Sequence, residues 1–165
     1  MAVPFFGLIM LVLQTGLYHF SLQSLDFAVR TAGRTVMTGQ VTVAASSAQS
    51  FKVAYVCPEV FWSIACDKLV INSYVLGKSS DSKASSGIYA YVDAKARTLN
   101  APATTPTQQK FCLGQPGDYV YLDVAYPYPN FIGRLLSSKG EATWQMRSST
   151  VVFNEPGAKN AAASC

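Results

Sequence analysis

The sequence predicts an α+β fold: a long N-terminal helix and a short second helix packed on a small antiparallel sheet. Three observations predict it. Residues from about 3 to 38 read as one helix, apolar all round in its first half and one-sided in its second, which at 1.5 Å per residue gives a rod about 54 Å long. Two later stretches, "DYVYLDVAYPY" and "TWQMRSSTVVF", alternate in the period of a strand. The order is helix, helix, then strands separated by loops, with none of the βαβα alternation of a doubly wound fold.

The first half of the long helix is apolar on every side. "MAVPFFGLIMLVLQTGLYHF" has no Lys, Arg, Asp or Glu. A secretory signal wants a basic start and a small-residue cleavage site, and neither is visible. A membrane span needs about 20 mostly apolar residues. Residues 2–13 extended through Leu17, Tyr18 and Phe20 supply a marginal one, interrupted by Gln14, Thr15 and His19. The core helix of a soluble protein explains the length but not the density of Phe, Leu, Ile and Met. The membrane helix is favoured, with Tyr18 and Phe20 where interfacial aromatics sit. Beyond it, Leu22, Leu25, Val29, Ala32 and Val36 recur at intervals of three and four, which makes one apolar stripe between Asp26, Arg30 and Arg34. That stripe suits packing on the chain's own domain or on neighbouring helices. Gly33 and then Thr38-Gly39 set the helix end near Gly39, where a glycine can take the left-handed cap.

"SSAQSFKVAYVC" begins with capping serines and predicts a short helix stopped by Pro58. "VFWSIAC" predicts a further helical turn. "KLVINSYVL" is β-branched and aromatic, hence a strand ended by Gly77. "GKSSDSKASSG" is a surface loop, "IYAYVDA" a short strand or turn, and "TLNAPATTPTQQK" a loop with two prolines. In the strand from Asp118, Val120, Leu122, Val124 and Tyr126 face one way; Tyr121, Asp123 and Ala125 face the other. In the last strand Trp144, Met146, Ser148, Thr150 and Val152 share a face. "PYPNFIGRLLSSKGE" connects these two strands. The organisation is therefore 1–20, a transmembrane part; 21–40, its amphipathic continuation; 41–156, the α+β domain; and 157–165, a tail. The sheet is expected to bury one face under the amphipathic half of the first helix and the short second helix.

Charged residues are only 13% of the chain and the net charge is +4, with Lys and Arg scattered. Nucleic-acid surfaces need a clustered basic face, so no nucleic-acid partner is expected. The sole histidine, His19, lies in the opening segment. The carboxylates are dispersed from Asp26 to Glu155, and no phosphate loop, dinucleotide fingerprint, zinc helix or nucleophile elbow occurs. No catalytic residue, metal, cofactor or small-molecule substrate is expected. The four cysteines, Cys57, Cys66, Cys112 and Cys165, lack metal-knuckle spacing. In an exported chain an even count reads as disulfides, with three possible connectivities. Cys57 with Cys66 is the favoured pair, leaving Cys112 with Cys165; buried free thiols are the alternative. The tyrosines 119, 121, 126 and 128 offer a rival use, a ligand-binding surface on a tethered or secreted domain, although at least half of them are expected in the core.

Most of the chain resembles the TadE family, pilin-like single-span proteins of the tight-adherence (Flp) pilus machinery. The family has an apolar span, a polar residue near the membrane edge, then a stretch ending in TGQ. This chain reads "LQSLDFAVRTAGRTVMTGQV", with Leu25, Ala28, Val29, Arg30, Arg34 and Thr38, Gly39, Gln40 in step. "VCPEVFWSIACDKLVINSYVL" is similar to the family's short helix with two cysteines before a strand. "VAYPYP" and the closing Asn154, Glu155, Pro156 also match in order. The resemblance implies a pilin-like fold, a single pass through the bacterial inner membrane and a periplasmic domain. It also implies a non-catalytic role beside other pilin-like subunits and inner-membrane platform proteins, with Leu22, Leu25, Val29, Ala32 and Val36 expected as the assembly face of the helix and incorporation into the pilus open. Upstream basic residues, a prepilin-peptidase site and the glutamate that follows it are usual in the family and do not occur after Met1. The expectation is thus a reading frame that extends upstream of Met1.

Overall fold

The computed structural model describes residues 2–78, 92–93, 98–99, 102–130, 133 and 143–157. Helix α1 runs Ala2–Met37 without a break. A short helix α2, Ala48–Phe51, opens on a capping box in which Ser47 Oγ accepts from Ser50 N–H (3.2 Å) and Ser50 Oγ from Ser47 N–H (3.1 Å). It widens into a π-helical turn, Lys52–Val56, and tightens into a 3-10 turn, Cys57–Glu59, at Pro58. The predicted helix and its stop are both present.

Strands β1 (Val70–Lys78), β4 (Asp118–Pro129) and β5 (Thr143–Phe153) form an antiparallel sheet in the order β1-β4-β5. The two-residue strands β2 (Val92–Asp93) and β3 (Thr98–Leu99) pair separately. This is the expected α+β arrangement: α1 and the short helix cover one face of a small antiparallel sheet. The core joins Leu25, Val29 and Val36 of α1 and Phe51 and Val56 of the short helix to Leu122, Val124 and Met146 of the sheet.

Two local expectations differ from the structure. "VFWSIAC" forms turns rather than helix before the 3-10 turn Cys66–Lys68. Pro58 has already ended the helical path, and of the segment's large side chains only Ile64 is buried in the core while Phe61 packs on Phe20 and Trp62 is exposed, so no helical face is buried as a unit. Gly77 does not end β1. The pairing register slips between Val75 and Gly77, and the strand continues to Lys78. Glycine marks a bulge here, not a terminus. Within "TLNAPATTPTQQK", Thr98–Leu99 is strand, whereas Pro106–Gln108 forms a 3-10 turn. Most of the loop from Gly77, of "IYAYVDA", of the 131–142 connection and of the tail lies outside the described residues.

Candidate functional site: the long helix, its cap and its collar

Helix α1 has two halves with different surroundings. In the first, Phe5, Phe6, Leu8, Met10, Leu11, Val12, Leu13 and Leu17 are all exposed. Only 11% of the helix's most apolar stretch is covered by the rest of the chain. A single exposed Leu is ordinary, but a continuous greasy surface on every side is not a water-facing design. The length and apolarity suit a membrane span or a signal helix. Among the described residues, the hydrogen bond nearest the start of the helix that ties it to the domain is at Gln14, a buried side chain whose Nε2 donates to Asn130 Oδ1 (2.7 Å).

In the second half, Leu25, Val29, Ala32 and Val36 have no exposed surface, and Leu22 packs at the margin of the same core. The chain's own sheet and short helix cover this stripe, so the face expected to assemble with other subunits is instead part of the domain core. Gly33, on this face, permits a close approach to β5. A Cβ at that position would lie 3.0 Å from Thr150 Cγ2 and 3.1 Å from Val152 Cγ1. Its part is to let sheet and helix touch, not to end the helix. The outward side carries Phe20 and Phe27, both exposed, with Arg30 held to Asp26 by an ion pair at 2.8 Å.

The two short sequence elements at either end of the domain meet. Gly39 adopts φ 69°. Its N–H donates to Val36 O (3.1 Å) and that of Gln40 to Thr35 O (3.0 Å), which is the paired Schellman pattern. Thr38 N–H donates to Arg34 O (3.0 Å). Glu155 N–H then donates to Met37 O (3.0 Å), so the chain leaving β5 satisfies a helix-end carbonyl. Asn154 is fully buried beside it. Its Nδ2 donates to Leu113 O (2.7 Å) and Gln115 O (3.2 Å), and its N–H to Asp118 O (2.9 Å). Its Oδ1 is buried without a hydrogen-bond partner. Pro156 follows in a turn. The Thr38-Gly39-Gln40 cap and the Asn154-Glu155 exit from β5 are thus joined through the Glu155 N–H bond to Met37 O.

At the opposite end, aromatic rings surround the helix at residues 18–20. Tyr18 lies edge-on to Tyr128 (5.5 Å between centroids) and Trp144 (5.2 Å). Phe20 lies edge-on to Phe61 (4.5 Å), which neighbours Trp62 (5.1 Å). Residues two apart are turned by about 200° around a helix, so the two groups flank opposite sides. Phe61 N–H donates to Ser24 Oγ (2.7 Å), and Ser21 Oγ pairs with Ser63 Oγ (2.9 Å), tying the loop to the rod. The expected Cys57–Cys66 disulfide closes that loop, with Cα atoms 5.7 Å apart. Cys112 is buried and also disulfide-bonded; Cys165 lies outside the described residues. His19 packs on Tyr18 (5.5 Å) and belongs to the collar.

Two buried charges escaped the sequence reading. Asp123 has no exposed side-chain surface and faces Arg147, whose Nε lies 3.1 Å from Asp123 Oδ1. Burial pushes the Asp123 carboxyl above its ordinary value, opposed by Arg147 and by hydrogen bonds from Asn72 and Tyr121. Lys52 is buried in the short helix and donates to Leu69 O (3.2 Å). Desolvation lowers it from the ordinary lysine value, opposed by Asp67. An open cleft of about 270 Å³ lies between Leu22, Asp26 and Arg147, and its two charged groups are each held in an ion pair, Asp26 by Arg30 and Arg147 by Asp123. No cluster of metal-ligating side chains occurs among the described residues. Of the four tyrosines in β4, Tyr126 and Tyr128 are core, whereas Tyr119 and Tyr121 lie on the other sheet face beside Phe153 and Tyr74.

No family model, curated protein or solved structure matches this chain.

Proposed function

We propose that this protein is a TadE-like, pilin-type component of tight-adherence (Flp) pilus assembly. It is a non-catalytic, single-pass protein of the bacterial inner membrane, and its α+β domain lies in the periplasm. It works by packing α1 among other pilin-like subunits and inner-membrane platform proteins at the pilus base. One observation carries the reading: an apolar surface suited to lipid over residues 5–20 continues, without a hinge, into a helix clamped along its length by a disulfide-bonded domain. A rigid rod of this kind transmits position from the membrane to the domain. Because the chain's own sheet covers Leu25, Val29, Ala32 and Val36, contacts with neighbouring helices fall on the open side, at Leu13, Leu17, Phe20 and Phe27.

A second reading, a membrane-tethered or secreted ligand-binding domain, draws on the partly open face of Tyr119, Val151 and Phe153. Cell fractionation separates the readings. The pilus reading expects oxidised protein in the inner membrane, resistant to carbonate extraction, with a final mass that depends on prepilin peptidase. A protein freed from the envelope by an ordinary signal peptidase favours the second reading. Reduced thiols on a freely soluble cytosolic protein would overturn both.

A further inference from the structure

The aromatic collar has a property that core packing does not explain. Trp62 is 82% exposed, the most exposed of the large apolar side chains among the described residues, and it sits on a loop fixed by the Cys57–Cys66 disulfide and by the hydrogen bonds of Phe61 to Ser24 and of Ser63 to Ser21. Both tryptophans of the chain lie at the same level, on opposite sides of the rod, where the exposed apolar segment meets the domain. No Lys, Arg, Asp or Glu occurs along the helix from Phe5 to Leu25; the first is Asp26. Amphipathic rings at the boundary between an apolar span and a charged domain are the signature of the headgroup layer.

We propose that the loop closed by Cys57 and Cys66 is a second membrane contact. Phe61 and Trp62 enter the boundary between headgroups and acyl chains beside Phe20, while Trp144 enters it across the rod. The occupant is lipid, because the surface is continuous with the span. The inference rests on the reading that residues 5–20 lie in the bilayer. With α1 as the only attachment, the domain is free to tilt about the rod. With contacts on both sides of the helix, its height and tilt are fixed, and its outward helix face is presented to neighbours at a set depth.

The full chain is reconstituted in phosphatidylcholine–phosphatidylglycerol vesicles made with lipids brominated near the glycerol end of the acyl chains. Trp144→Phe leaves Trp62 as the single reporter. A second protein, Leu11→Trp with both native tryptophans changed to Phe, reports on the span. Quenching of Trp62 with a blue-shifted emission, together with quenching of Leu11→Trp by lipids brominated near the chain ends, is expected. A water-like, unquenched Trp62 beside a quenched Leu11→Trp overturns the loop contact and leaves the anchor intact. Protection of Trp62 from acrylamide without lipid quenching assigns it to a contact between copies and also overturns it. An unquenched Leu11→Trp removes the anchor reading and the inference together.

Discussion

At the residue scale, the helix cap and the buried ion pair make different demands. Gly39 holds a left-handed conformation that a Cβ opposes by about 1–2 kcal/mol. Gly39→Ala is therefore expected to lower domain stability by about that amount, read from urea unfolding, with Gly39→Asn falling between the two. For Asp123, the folded carboxyl titrates above its unfolded value, so the folded state holds a proton the unfolded state has released. Stability falls as pH rises through that window. Arg147→Met removes the opposing cation and widens the window. The expected loss is about 3 kcal/mol at neutral pH, shrinking as pH is lowered toward the ordinary carboxylate value. A pH-independent loss contradicts this assignment. The cap was legible in the sequence because Thr-Gly after a helical stripe has a local cause. The ion pair was not, because Asp123 and Arg147 become neighbours only when β4 pairs with β5.

At the element scale, the helix stripe and the strand alternation were legible because period follows from geometry alone. The partner of the stripe was not. Apolarity at positions 25, 29, 32 and 36 says that a surface is buried, not what buries it; the close approach at Gly33 identifies β5. Adding a side chain there sets two terms against each other. Gly33→Ala gains about 1 kcal/mol of helix propensity and meets two methyl groups that must shift. Gly33→Leu has no such balance; overpacking is expected to cost about 1–3 kcal/mol or more and to loosen helix from sheet. Near-ultraviolet circular dichroism, which reports the Tyr18–Trp144 and Phe20–Phe61 contacts, is expected to weaken in Gly33→Leu and not in Gly33→Ala. The "VFWSIAC" segment shows the converse failure. Its apolar residues fit a helical spacing, but Phe61 serves the collar and Trp62 faces outward, so their hydrophobicity does not report core packing. The disulfide holds the loop in that arrangement. Replacing Cys57 and Cys66 by Ser is expected to lower stability by about 3 kcal/mol, measured by urea unfolding of the oxidised protein against the double variant.

At the scale of the whole molecule, the chain divides where its surroundings change, at Gln14 and the collar, not where any element ends. Below that level, one face of α1, at Leu25, Val29, Ala32 and Val36, belongs to the domain core. Above it, Leu8 and Leu11 touch little of the domain and present their surfaces outward. Membrane insertion and domain stability are therefore separable. Asp at a helix centre opposes insertion by about 2.5–3.5 kcal/mol per residue. The pair Leu8→Asp and Leu11→Asp is expected to shift insertion by about 5–7 kcal/mol and to release the protein from vesicles at alkaline carbonate. The same pair leaves the domain's Tm unchanged, because the core from Leu25 to Met146 lies beyond the altered turns. Leu25→Asp is expected to give the opposite result: retention in the membrane with loss of the folded domain, since it puts an unpaired carboxylate into a fully buried site. Carbonate extraction and thermal unfolding of the two variants, compared side by side, test the division. A fall in Tm for the Leu8 and Leu11 pair equal to that of Leu25→Asp would mean that the first turns of α1 fold into the domain, and the rod would then have no lipid-facing half.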